Sequence, residues 1–146
     1  MSDLFGDLQD WRGVLSTLDH LSADGQLDGH QDGLARLVRY RENPRLQLAA
    51  LECALEVGAS SDLLVADTLN AVVCQESSLR LRVAAARATG HLLSRYAPTA
   101  FSRFDPQRAF QTLQHVAARE QPPPLAAALQ EALNQAKPHI VGGSDI

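Results

Sequence analysis

Leu4, Leu8, Trp11, Leu15 and Leu18 recur at alternating steps of four and three residues. That is the period of one helical face, and it predicts an amphipathic helix over about 3–21. Residues 80–95, rotated by 100° per residue, sort into two sides. Leu81, Ala85, Ala88, Leu92 and Tyr96 make the apolar side, and Arg80, Arg87, His91, Ser94 and Arg95 lie opposite. From Arg45 the same rotation puts Leu46, Ala50, Cys53 and Val57 inside, with Glu52 and Glu56 outside beside Arg45.

These two segments belong to a repeat. A shift of 35 residues lays Asp32 on Asp67, Leu34 on Leu69, Leu37 on Val72, Arg45 on Arg80, Leu46 on Leu81 and Ala50 on Ala85. A further shift of 44 lays Leu69 on Leu113, Val72 on Val116, Leu81 on Leu125, Ala84 on Ala128 and Ala88 on Ala132. One offset serves both halves of each unit, and the nine additional residues fit an insertion around 96–104. A register shared by two consecutive helices is the mark of stacked repeats.

Each unit therefore predicts a helical hairpin: 29–41 with 44–57, 62–75 with 79–95, and 106–119 with 123–137. Asn43-Pro44 and Asp105-Pro106 pair a good N-cap with a residue suited to the first helical position. Ser77 or Ser78 caps the helix from 79, and the Pro122–Pro124 run opens the last one. Asp28 with Gln31 resembles a capping box. Ala49, Ala50, Ala84, Ala85 and Ala86 are small enough for close helix approach, so Ala84→Leu is expected to overpack at about 1–3 kcal/mol. The sole tryptophan, Trp11, reads as a core anchor of a capping helix, since end units of an array must cover an apolar edge.

The stretch LRLRVAAARATGHL, residues 80–93, resembles the second helix of a short bacterial HEAT repeat. Leu81-Arg82 stands in the place of that pattern's Val-Arg pair, Ala84 and Ala88 in its small packing positions, and Gly90 in the place of its glycine. LQLAALECAL, residues 46–55, has Gln47 in place of the arginine and lacks the glycine. The resemblance spans about 29–137 and implies an all-α fold: a short α-α superhelix, HEAT/armadillo-like, with a leading helix plus three hairpins in one domain over 1–140. Residues 141–146 are expected to form a flexible tail. In such arrays second helices line the partner-binding face. The resemblance thus implies a protein-binding surface of Arg45, Gln47, Glu52, Glu56, Arg80, Arg82, Arg87 and His91. In register, Arg45 would neighbour Arg80, Glu52 would neighbour Arg87, and Glu56 would neighbour His91.

Composition agrees with close-packed helices. Of the 146 residues 45% are hydrophobic and only 5% aromatic, with Ala and Leu dominant. Net charge is −4, unevenly placed: residues 1–32 carry seven Asp against one Arg, whereas 77–119 carry seven Arg against Asp105. No apolar run approaches the ~20 residues of a membrane span. The acidic start MSDLFGDLQD is unlike a secretory signal. Cys53 and Cys74 form no CxxC, so two thiols in a reducing, cytoplasmic setting are expected.

Candidate chemistry is sparse. DGQLDGHQDG, residues 24–33, places Asp-Gly three times, but the twelfth position of a calcium loop from Asp24 is Ala35 rather than Glu. The five histidines form no HxxxH or HExxH, and no GxGxxG, GxxxxGKS or GxSxG occurs. No catalytic residue, metal ligand or cofactor is therefore assigned. The expected function is a non-catalytic adaptor, regulator or assembly factor that binds one or more proteins as a monomer or weak homodimer. Two alternatives are a nucleic-acid binder using the Arg80–Arg108 cluster, which the acidic flanks argue against, and a bilin lyase-like HEAT protein by analogy alone. Phe101 and Phe104, in the segment 96–106 that breaks the repeat, are expected to plug the gap between units.

Overall fold

A computed structural model describes residues 5–97 and 103–140. Among the described residues seven α-helices follow in order: α1 Trp11–Ala23, α2 Gln31–Arg39, α3 Pro44–Ala54, α4 Asp62–Val73, α5 Leu79–Ser94, α6 Pro106–Ala118 and α7 Pro123–Ile140. A 3-10 turn, Leu27–His30, leads into α2. The helices form two layers, with α1, α3, α5 and α7 side by side in one and α2, α4 and α6 in the other. Hairpins α2–α3, α4–α5 and α6–α7 connect the layers. This is the all-α helical-repeat stack with a leading helix that the periodicity predicts.

Local chemistry sets the helix starts. The Asn43 carboxamide oxygen accepts from Arg45 N at 3.1 Å and Leu46 N at 3.4 Å, and Asp105 does the same for Gln107 N and Arg108 N at 3.0 and 3.3 Å. Ser78, not Ser77, caps α5 through Leu81 N at 3.2 Å, and Ser61 caps α4 through Leu64 N at 3.3 Å. The leading helix begins at Trp11, later than expected. Gly6 turns the chain at φ +63°, and Asp10 caps the helix from outside, accepting from Gly13 N at 3.4 Å. Phe5 and Leu8 still reach the core, but from turns rather than from a helix face. At the far end α7 runs past Pro138, where a stop was expected. Its last turn is held by buried Ile140 and by His139, whose Nε2 donates to Tyr96 O at 2.8 Å.

Asp28 and Gln31 do not form a capping box. Both Asp28 oxygens instead reach the connector between the first two hairpins, accepting from Gly58 N at 2.9 Å and Ala59 N at 3.0 Å. Gln31 donates to Ala59 O at 2.7 Å and accepts from Ser61 N at 2.7 Å. The next unit holds the same connector from its other side. Ser60 Oγ donates to Leu92 O at 2.7 Å and Tyr96 Oη to Asp62 at 2.7 Å. A buried amide and a buried phenol thus fix the spacing of neighbouring hairpins, since polar groups so placed are costly unless paired.

Inside the first two hairpins, a polar side chain of the hairpin's second helix closes onto the last turn of its first. Gln47 Nε2 donates to Val38 O at 2.8 Å, and Arg82 Nε to Val72 O at 2.9 Å. These two residues are one repeat position, 35 apart. In the third hairpin Gln121, just before α7, donates to Val116 O at 3.0 Å. The Val38 and Val72 carbonyls are ones a helix end leaves without an intrahelical partner, whereas Val116 O also accepts from Arg119 N at 3.3 Å.

The tightest approach joins α5 and α7. A Cβ added to Gly90 would stand 2.5 Å from Ala132 Cα and 2.6 Å from its Cβ. Ala85, Ala86, Ala88, Ala128, Ala132 and Ala136 are all fully or almost fully buried. Small side chains bring the helix axes together, as the alanine pattern implies. Ala49 and Ala84 are the exceptions, remaining partly exposed. The expected overpacking by Ala84→Leu therefore does not hold, because that side chain faces an open trough rather than a helix. Phe104 packs edge-on against Tyr96 with ring centroids 5.2 Å apart, as expected of a gap-filling aromatic. Phe101 and the tail lie outside the described residues.

Candidate functional site

The outer face of the α1–α3–α5–α7 layer holds two adjoining hollows. The larger, about 550 Å³, is lined by Leu48, Leu55, Leu79, Val83, Ala84 and Pro124, with Glu52, Arg80 and Arg87 as its charged groups. The other, about 340 Å³, lies between α1 and α3 and includes Leu15, Asp19, Ser22, Arg45 and Glu56. Leu48 and Glu52 line both, so the two form one trough crossing α1, α3, α5 and the start of α7. Leu55 and Leu79 are 42% and 40% exposed, a high value for leucines that sit together in one groove.

The repeat register explains this composition. Helices of this layer bury one side against α2, α4 and α6 and their flanks against each other. What remains outward is a row of part-apolar, part-charged positions. Arg80 is exposed and forms no ion pair among the described residues. Arg87 Nε lies 3.5 Å from Glu131 on α7, with both side chains more than half exposed, so the pair adds little stability and Arg87 can exchange partners. Arg45 lies over the Trp11 ring, its guanidinium carbon 5.2 Å from the centroid, and Arg12 lies 5.0 Å from it.

Of the eight residues expected on the surface, the trough brings together Arg45, Glu52, Glu56, Arg80 and Arg87. Glu56 accepts from Ser22 Oγ of α1 at 2.7 Å instead of meeting His91. His91 lies beside the trough and turns to the backbone, with Nε2 2.8 Å from Val57 O. Since a carbonyl only accepts, Nε2 carries the proton. Gln47 and Arg82 are corrections. Gln47 is 5% exposed and occupied with Val38 O, and Arg82 reaches across to Val72 O, away from the trough. Counting rotation about one helix axis misses this, because the carbonyls concerned belong to the paired helix.

The thiols differ sharply. Burial pushes the Cys53 thiol up to about 11, with Glu56, Asp19 and Glu52 adding repulsion. Cys74 is lowered, first by a hydrogen bond from the Ser77 side chain and also by the Arg41 guanidinium that contacts its sulfur. Neither belongs to a group of three or more possible metal ligands; no such group exists among the described residues. No helix among them is long and apolar enough to cross a membrane. Comparison with protein-family models, curated proteins and solved structures found no match.

Proposed function

We propose that the protein is a non-catalytic adaptor or assembly factor of the HEAT-like kind, which binds another protein along the α1–α3–α5–α7 face. The observation carrying this reading is the trough itself. Leu48, Leu55, Leu79 and Val83 form an apolar strip, and Glu52, Arg80 and Arg87 stand over it. An apolar centre with charged edges is the anatomy of a protein interface. Arginine suits the role because its planar fork grips a carboxylate through two hydrogen bonds. The partner would offer apolar side chains to the strip and a carboxylate to Arg80.

Nucleic acid fits the arrangement less well. Arg80 and Arg87 line the trough, while Arg82 lines a separate cleft against α6, so the cluster does not make one track. The test is affinity capture from the source cell with wild type and with the Arg80→Glu/Arg87→Glu variant. One protein is expected with wild type and lost with the variant at unchanged melting temperature. Undiminished capture by the variant would refute the face.

A further inference from the structure

Arg82, displaced from the trough, helps to line a cleft of about 220 Å³ between the end of α4, α5 and α6. Its other polar walls include Thr112, His115, Arg119 and Gln121, and no carboxylate lines it. This is unusual in a chain of net charge −4. Arg82 is anchored, since its Nε donates to Val72 O at 2.9 Å, which fixes the guanidinium plane and leaves its terminal nitrogens as a preset fork. Gln121 is likewise fixed by its bond to Val116 O. The side chains of His115 and Arg119 have no hydrogen-bond or ion-pair partner among the described residues.

We infer that this cleft binds a small oxyanion, a phosphate group above all. Two guanidinium groups on different elements, α5 and the residue after α6, can take separate oxygens of one tetrahedral anion. The Thr112 hydroxyl and His115 ring add donors from α6. A singly charged carboxylate uses only part of that set. The volume lies below the roughly 300–1,000 Å³ typical of drug-sized ligands, so the cleft takes the anionic group of a small molecule rather than a large ligand. The site is independent of the trough, which opens on the other layer's outer face.

Titration calorimetry with inorganic phosphate, against acetate and chloride at matched ionic strength, tests this. Phosphate is expected to bind saturably and more tightly than either, with amide NMR shifts centred on 82, 112, 115 and 119. Arg82→Gln removes the charge yet can retain the bond to Val72 O, because Gln47 makes that bond in the equivalent position. Paired with exposed Arg119→Gln, it should weaken phosphate at least tenfold. Arg119→Gln alone, which touches no core group, should weaken it several-fold. Arg80→Gln should leave it unchanged. Absence of saturable phosphate binding, equal binding of acetate, or undiminished binding by the Arg119→Gln variant would overturn the inference.

Discussion

Gly90→Ala tests the packing that holds the array together. The new methyl carbon would sit 2.5 Å from Ala132 Cα, 2.6 Å from Ala132 Cβ and 3.1 Å from Ala132 O. Carbon atoms rest about 3.5–4.0 Å apart, so α5 and α7 must separate by about 1 Å at their closest point. Two effects oppose each other. Alanine favours the helix over glycine by about 1 kcal/mol. Overpacking costs about 1–3 kcal/mol, and the upper part of that range applies because the obstacle is backbone rather than a side chain that can swing away. The net loss is about 1–2 kcal/mol, or a fall of about 2–8 °C in melting temperature for a chain of this size. Gly29→Ala is the control, since a Cβ there meets nothing within 4 Å and the variant should melt no lower than wild type. Ala132→Gly added to Gly90→Ala should recover only part of the loss, because the contact with Ala132 Cα persists. Thermal denaturation followed by circular dichroism measures all three. A Gly90→Ala protein that melts at or above wild type would show that no such helix contact exists.

Further outcomes are expected elsewhere. Gln31→Ala removes both bonds to the 59–61 connector and should cost about 1–3 kcal/mol in urea denaturation; its effect should be non-additive with that of Asp28→Ala, which holds the same segment. Alkylation at pH 7.5 should label Cys74 well before Cys53, whose thiol titrates near 11, and peptide mass mapping reads the order. The Asp67 carboxyl is raised by burial, opposed by Arg39 at 3.3 Å, so its stabilising contribution is complete below the unfolded-state value of 3.8 and declines as pH rises through the folded-state value. Asp67→Asn should therefore gain stability relative to wild type as pH rises above 3.8, and a difference that is flat with pH would contradict the assignment. Ala84→Leu should fill the trough, leaving the melting temperature nearly unchanged while abolishing partner capture.

The helix starts at Asn43, Ser78 and Asp105 are legible because a cap acts within three residues of itself. The repeat register is legible because the same contacts recur at a fixed offset. Two kinds of feature escape. The Asp28 carboxylate and, beyond one local bond to Asp28 O, the Gln31 amide bond the chain some 28–31 residues away, so a local capping motif gives the wrong partners. Helix α5 buries Ala86, Thr89, Gly90 and Leu93 besides its apolar stripe, because α3, α4 and α7 surround it; one amphipathic face does not describe a central helix. Gln47 and Arg82 leave the trough for the carbonyls of the paired helix in each hairpin. The cleft holding His115 and Arg119 could have been suspected from Val72 and Val116 being one repeat position, which puts the two helix ends beside each other.

The lone indole on α1 gives the molecule an internal lamp. Trp11 is half-buried between two guanidinium groups, one of which also borders the smaller hollow. Its emission colour and quenching respond to whether α1 sits against α3, whereas far-ultraviolet ellipticity counts every helix. A red shift preceding the loss of ellipticity on heating would reveal the first rung lifting away while the remaining stack stays assembled. The natural chain would serve for that experiment without any attached dye.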